Sequence, residues 1–108
     1  MYAQQKRNTE EARKLRKEGG KWLKGLRKAA GLTQRELANK VGLDYYTFIS
    51  QVENGTGRVP PDMLEKYAEA VGMSSFDFTK RLISYYDPFT FKALWGKGDY
   101  PHKIHHIA

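Results

Sequence analysis

The feature that most constrains this chain is a pair of short, separately punctuated helical segments between Gly31 and Gly55. Thr33 stands at a helix start, Glu36 follows at the spacing of a capping box, and Leu32 and Leu37 have the spacing of a hydrophobic staple. Leu37, Ala38 and Val41 give this first helix one apolar face, and Gly42 ends it. Asp44 then offers a cap for a second helix running to Asn54 and Gly55. In projection Tyr45, Phe48, Ile49 and Val52 share one face of it, while Tyr46, Thr47, Ser50, Gln51 and Asn54 share the other. That second face is polar but uncharged. Helix faces that merely meet water usually carry Lys and Glu, so it reads as a contact surface.

The rest of the chain continues the same pattern, with no alternating strand signal, and predicts an all-α fold. Residues 8–18 have an Asn8 to Glu11 capping box but only Ala12 and Leu15 as apolar residues, which predicts an arm with little to bury. After Gly19 and Gly20, Trp22, Leu23, Leu26 and Ala30 form a stripe that stops at Gly31. The loop GTGRVP leads to a helix opened by Pro60 or Pro61, with Leu64, Tyr67, Ala68 and Val71 inward and Gly72 at its end. Ser74 or Ser75 caps the next, whose apolar positions Phe78, Leu82, Ile83 and Tyr86 precede Asp87 and Pro88. The segment FTFKALWG adds a helical turn or two, and the last ten residues read as a tail. The expected division is a basic N-terminal arm over 1–19, a five-helix body over 20–87, and an aromatic C-terminal extension and tail over 88–108.

Charge sharpens this division. Residues 1 to 30 hold ten basic and three acidic side chains, whereas the remainder holds nine of each, so the net +7 belongs to the N-terminal third. Such asymmetry fits a polyanionic partner, although a Lys/Arg-rich helix can equally be a solvated face. At 108 residues the chain suits a single core. No stretch approaches the roughly 20 apolar residues of a membrane helix, and the polar N-terminus lacks the apolar stretch of a signal peptide, which predicts a cytoplasmic, nucleoid-associated protein with no membrane role. Zero cysteines exclude a disulfide scaffold and a thiol-based zinc site.

The run GLTQRELANKVGLDYYTFISQVENG resembles the signature of the lambda repressor and Cro-like helix-turn-helix family, also called the xenobiotic-response-element type. Gln34, Leu37, Ala38, Gly42, Ile49, Val52, Glu53 and Asn54 occupy its pattern positions, and the resemblance extends over roughly residues 20–84. The chain departs from it at one point. Eleven residues separate Gly42 from Asn54, one more than the commonest family spacing, so either the turn is longer or the third helix starts earlier.

The resemblance implies a lambda-repressor-like fold and a bacterial or phage transcriptional regulator of double-stranded DNA, a repressor that binds a palindromic operator as a homodimer. It puts the helix near 45–54 in the major groove, with Tyr46, Thr47, Ser50 and Gln51 at base edges. Gln51 suits bidentate pairing with adenine, Ser50 can donate or accept, and Thr47 offers a methyl to thymine. Tyr46 has the alternative role of a half-buried aromatic at the helix start. Gln34, Arg35, Asn54, Arg58 and Tyr45 are phosphate candidates, Tyr45 having the core as its competing place. Arg27 and Glu53 are implied to form a structural salt bridge. Phe76, Phe78, Tyr85, Tyr86, Phe89, Phe91, Trp95 and Tyr100, eight of the fourteen aromatics, are divided between core and a two-fold interface. The arm is expected to supply phosphate attraction without specificity, so deleting residues 1–18 is expected to weaken binding uniformly.

Other functions find less support. The chain has no nucleotide-binding glycine loop, and its histidines, His102, His105 and His106, fall in the last seven residues with no acidic or thiol partner spaced to complete a metal site. We expect no enzyme activity, no cofactor, no metal and no small-molecule ligand. The alternative reading is an antitoxin-like or adaptor module that uses the same helices to bind a protein.

Overall fold

The computed structural model describes residues 2–96, and side chains from residue 9 onward. Six α-helices follow in order: α1 (Tyr2–Ala29), α2 (Gln34–Lys40), α3 (Thr47–Asn54), α4 (Leu64–Ala70), α5 (Ser75–Tyr86) and α6 (Pro88–Trp95). A single 3-10 turn, Pro61–Met63, precedes α4, so the proline pair opens a tight turn before the α-helix proper. The fold is all-α, and the described residues contain no strand. None of these helices is long and apolar enough to cross a membrane.

The body forms around Leu23, Leu37, Ala38, Ile49, Val52, Tyr67, Ala68 and Phe78, contributed by α1 to α5. Trp22 stacks on Phe78 at 5.6 Å between ring centroids, and Phe78 stacks on Tyr67 at 5.4 Å, so three helices share one aromatic column. Local chemistry sets the helix ends. The Glu36 amide donates to Thr33 Oγ1 at 3.0 Å and the Thr33 amide to Glu36 Oε1 at 2.8 Å, which completes the capping box of α2. Those bonds also hold the Glu36 carboxyl below the usual glutamate range. Ser74, rather than Ser75, caps α5 by accepting from the Asp77 amide at 3.1 Å.

The first helix differs from the expectation. It runs without interruption through Asn8, Gly19 and Gly20, so no helix starts at Asn8 and the glycine pair is no break. Each glycine instead marks a close approach. A Cβ on Gly20 would lie 2.3 Å from the Glu53 carbonyl oxygen, and one on Gly19 would lie 2.9 Å from Tyr85 Cβ. The usual helix cost of glycine, roughly 1 kcal/mol each, is offset by letting α3 and α5 pack directly on the α1 backbone.

The N-terminal half of α1 also has more to bury than its composition suggests. Leu15 is buried against Phe91 of α6, with Ile83 and Trp95 completing a second, smaller core. The last helix is itself a full eight residues rather than a turn or two, and Asp87 caps it by accepting from the Thr90 amide at 3.1 Å.

Candidate nucleic-acid interface

The site is built on α2, the turn after it, and α3. Gly42, at φ +84°, adopts the left-handed conformation that ends α2, and the Leu43 amide donates to the Ala38 carbonyl at 2.8 Å. Leu43 packs against the core and anchors the turn. Between that anchor and Thr47 the chain must pass through Asp44, Tyr45 and Tyr46, so the additional residue lengthens the turn and α3 does not start early. Asp44 therefore does not cap α3; Tyr46 holds that position without a side-chain cap bond.

This geometry corrects the expected core place of Tyr45. Helical periodicity cannot be carried back through a non-helical turn, and Tyr45 projects outward with 79% of its surface exposed. Tyr46 is 45% exposed and lies under the Arg35 guanidinium, 5.7 Å from the ring centroid. Ile49, Val52 and Glu53 form the buried face of α3. Thr47, Gln51 and Asn54 are exposed and Ser50 is half-buried, a row of hydrogen-bonding groups without a formal charge.

The remaining candidates gather at the two ends of this row. At the N-terminal end Gln34, Arg35 and Tyr46 line one shallow cleft together with Arg27, Leu32 and Thr33. Gln34 is partly engaged there, because its Nε2 donates to Glu53 Oε1 at 3.0 Å. At the C-terminal end Asn54 Oδ1 accepts from the Thr56 amide at 2.9 Å and from the Thr56 hydroxyl at 2.6 Å. Asn54 thus shapes the loop as well as facing solvent. Gly55, at φ +88°, lets the chain turn away from the helix end. Arg58 is exposed and stacks over Tyr86 at 4.8 Å, while the Tyr86 hydroxyl accepts from the Val59 amide at 3.2 Å. Tyr86 is the supporting residue that sequence reasoning assigned to the apolar face of α5 and to the aromatics divided between core and a two-fold interface; its partners here lie 27 positions or more away, so no local pattern announces them.

Beneath the row, Arg27 Nε donates to Glu53 Oε2 at 2.7 Å and Nη2 donates to Oε1 at 3.1 Å. Arg27 Nη1 also donates to the Leu32 carbonyl at 2.8 Å. One buried guanidinium therefore joins α1, the start of α2 and the end of α3, which fixes how the exposed row is presented.

A helix-turn-helix family model matches residues 23–78. The chain belongs to the lambda repressor and Cro-like helix-turn-helix family. Its helix-turn-helix domain is a DNA-binding regulatory domain, with α2 and α3 as the paired helices. A comparison with curated proteins finds no match. The helix-turn-helix match leaves out residues 2–22 and 79–96, and these two additions are the ones that pack on each other through Leu15 and Phe91. Among the described residues no group of His, Asp and Glu is arranged to hold a metal ion; His102, His105, His106 and Tyr100 lie outside the described residues.

Proposed function

We propose that this protein is a sequence-specific transcriptional repressor that binds a palindromic operator as a homodimer, each copy inserting α3 into the major groove. The observation that carries this reading is the uncharged exposed row on α3, bounded by a cation at either end, Arg35 beside Tyr46 and Arg58 beside Tyr86. In this reading Tyr46, Thr47, Ser50 and Gln51 meet base edges, and Gln34, Arg35, Tyr45, Asn54 and Arg58 meet phosphates. Tyr45 suits a phosphate through its hydroxyl because its exposure leaves the ring free to reach past the helix start. Exposed Phe76, Phe89 and Leu94 on α5 and α6 support a two-fold contact between copies, since a single reading helix covers few base pairs.

Selection of bound sequences from a random duplex pool tests the reading. The expected product is a two-fold-related consensus, and Gln51→Ala is expected to lose discrimination at one position per half-site, by about 1–3 kcal/mol. A Gln51→Ala variant with wild-type preference would contradict this placement of α3. Sedimentation showing only monomer, with and without DNA, would exclude the homodimer.

A further inference from the structure

We propose that Arg13, Lys17 and Lys24 on α1 form a second phosphate-binding surface for duplex DNA, extending the contact beyond the C-terminal end of the reading helix. The proposal rests on the DNA-binding reading above, and it assigns the N-terminal charge a place rather than a bulk effect. Gly55, immediately after α3, approaches α1 so closely that a Cβ there would lie 2.9 Å from Lys17 Cα and 3.1 Å from its Cγ. Lys17 therefore emerges at the helix end that also carries Asn54 and leads to Arg58. Arg16, on the adjoining side of α1, is near enough for its charge, like that of Arg58, to act on the Tyr86 phenol.

Helical spacing extends this point into a stripe. Arg13, Lys17 and Lys24 recur at intervals of four and seven residues, which places them along one side of α1, and all three are exposed. Glu11 and Glu18 fall on another side; Glu10 sits at the outer edge of the stripe, about two turns from Lys17. Among the described residues no carboxylate lies within ion-pair distance of Arg13, Lys17, Lys24 or Arg58.

The dimensions suit a duplex. An eight-residue α3 is about 12 Å long, comparable with the width of the major groove, so its two ends approach the bounding strands. The stripe from Arg13 to Lys24 covers about 16 Å, enough to follow several phosphates of one strand, which recur about every 3.4 Å along the axis. Deleting residues 1–18 is a poor test, because it removes Leu15 from the second core along with the charges.

The test is a triple variant, Arg13→Gln, Lys17→Gln and Lys24→Gln, in the full chain. Gln retains the aliphatic stem of Lys17 that meets Gly55. Binding to a mixed-sequence 30-base-pair duplex, and to the duplexes recovered by selection, is measured across a salt series, with circular dichroism to establish folding. The expected result is a salt slope shallower by about two to three, with the base preference unchanged. A control, Lys80→Gln with Lys92→Gln on α5 and α6, is expected to keep the wild-type slope. A triple variant with the wild-type slope overturns the stripe and leaves the DNA-binding reading intact, as does a control that lowers the slope as much. Wild-type protein that binds neither duplex overturns both.

Discussion

Arg27 and Glu53 meet in a two-bond, nearly solvent-free pair, with 9% and 4% of their side chains exposed. The pair joins the first helix to the last turn of α3, and Glu53 Oε1 also accepts from Gln34 of α2. Three helices, α1, α2 and α3, are therefore tied at one carboxylate.

Glu53→Ala leaves a buried guanidinium without its counter-charge and removes the acceptor of Gln34. Loss of one partner from a buried pair costs about 3–5 kcal/mol. We expect a fall in Tm of about 12 °C or more, by the usual scaling of roughly 4–8 °C per kcal/mol for a domain of this size. Glu53→Gln, which keeps acceptor capacity, is expected to fall less. Thermal melts of the two variants check the order, and an unchanged Tm for Glu53→Ala would contradict the role assigned to the pair.

The glycines of α1 give a paired prediction. Gly20→Ala drives a methyl into backbone atoms of Glu53, which cannot swing aside, and is expected to cost about 1–3 kcal/mol despite the better helix propensity of alanine. Gly25 has nothing within 4 Å of its Cβ direction, so Gly25→Ala is expected to stabilise by about 0.5–1 kcal/mol. Urea midpoints measured side by side separate the two effects. Equal shifts of the same sign would mean that α3 does not rest on Gly20.

The reading of Gly19 and Gly20 as a break shows where sequence reasoning stopped. Glycine carries one local signal for two opposite purposes, and Glu53 and Tyr85, far along the chain, decide between them. Caps behaved differently, because Thr33 with Glu36 and Ser74 with Asp77 are complete within four residues. Tyr45 failed for a second reason. A period of 3.6 assigns a face only inside a helix, and the longer turn puts Tyr45 outside one. The polar row from Thr47 to Asn54 was legible because it lies wholly within α3, whereas the support that Tyr86 gives to Arg58 depends on tertiary contact alone.

Leu15 and Phe91 test whether the two additions outside the family match stabilise the domain. Leu15→Ala is expected to cost about 2–5 kcal/mol and Phe91→Ala about 3–5 kcal/mol, the ordinary range for emptying a packed site. Because the residues touch, the double variant is expected to cost less than the sum. Denaturant titration checks all three. If residues 1–18 were an independent arm, Leu15→Ala would leave the midpoint where it is.

Tyr67 gives a prediction in pH. Its hydroxyl is buried with no hydrogen-bond partner among the described residues, and burial first, then the charge of Glu53 and the neighbouring Tyr86, push its pKa up. Burial likewise raises Tyr86. Both phenols stay neutral in the folded chain, while the unfolded chain releases their protons near the ordinary value of about 10. Their contribution is therefore fully present below about pH 10 and declines as pH rises from there toward the raised folded values. Unfolding free energy measured from pH 7 to 11 is expected to be level with respect to these groups and then to fall. In Tyr67→Phe that alkaline fall is expected to be shallower, since one of the two ionisations is gone. At pH 7 the variant removes an unsatisfied hydroxyl while keeping the ring stacked on Phe78, so it is expected to match the wild type or exceed it by up to about 1 kcal/mol. A loss greater than about 2 kcal/mol at neutral pH, or an unaltered alkaline slope, would contradict the assignment of Tyr67 as a neutral, unpartnered core phenol.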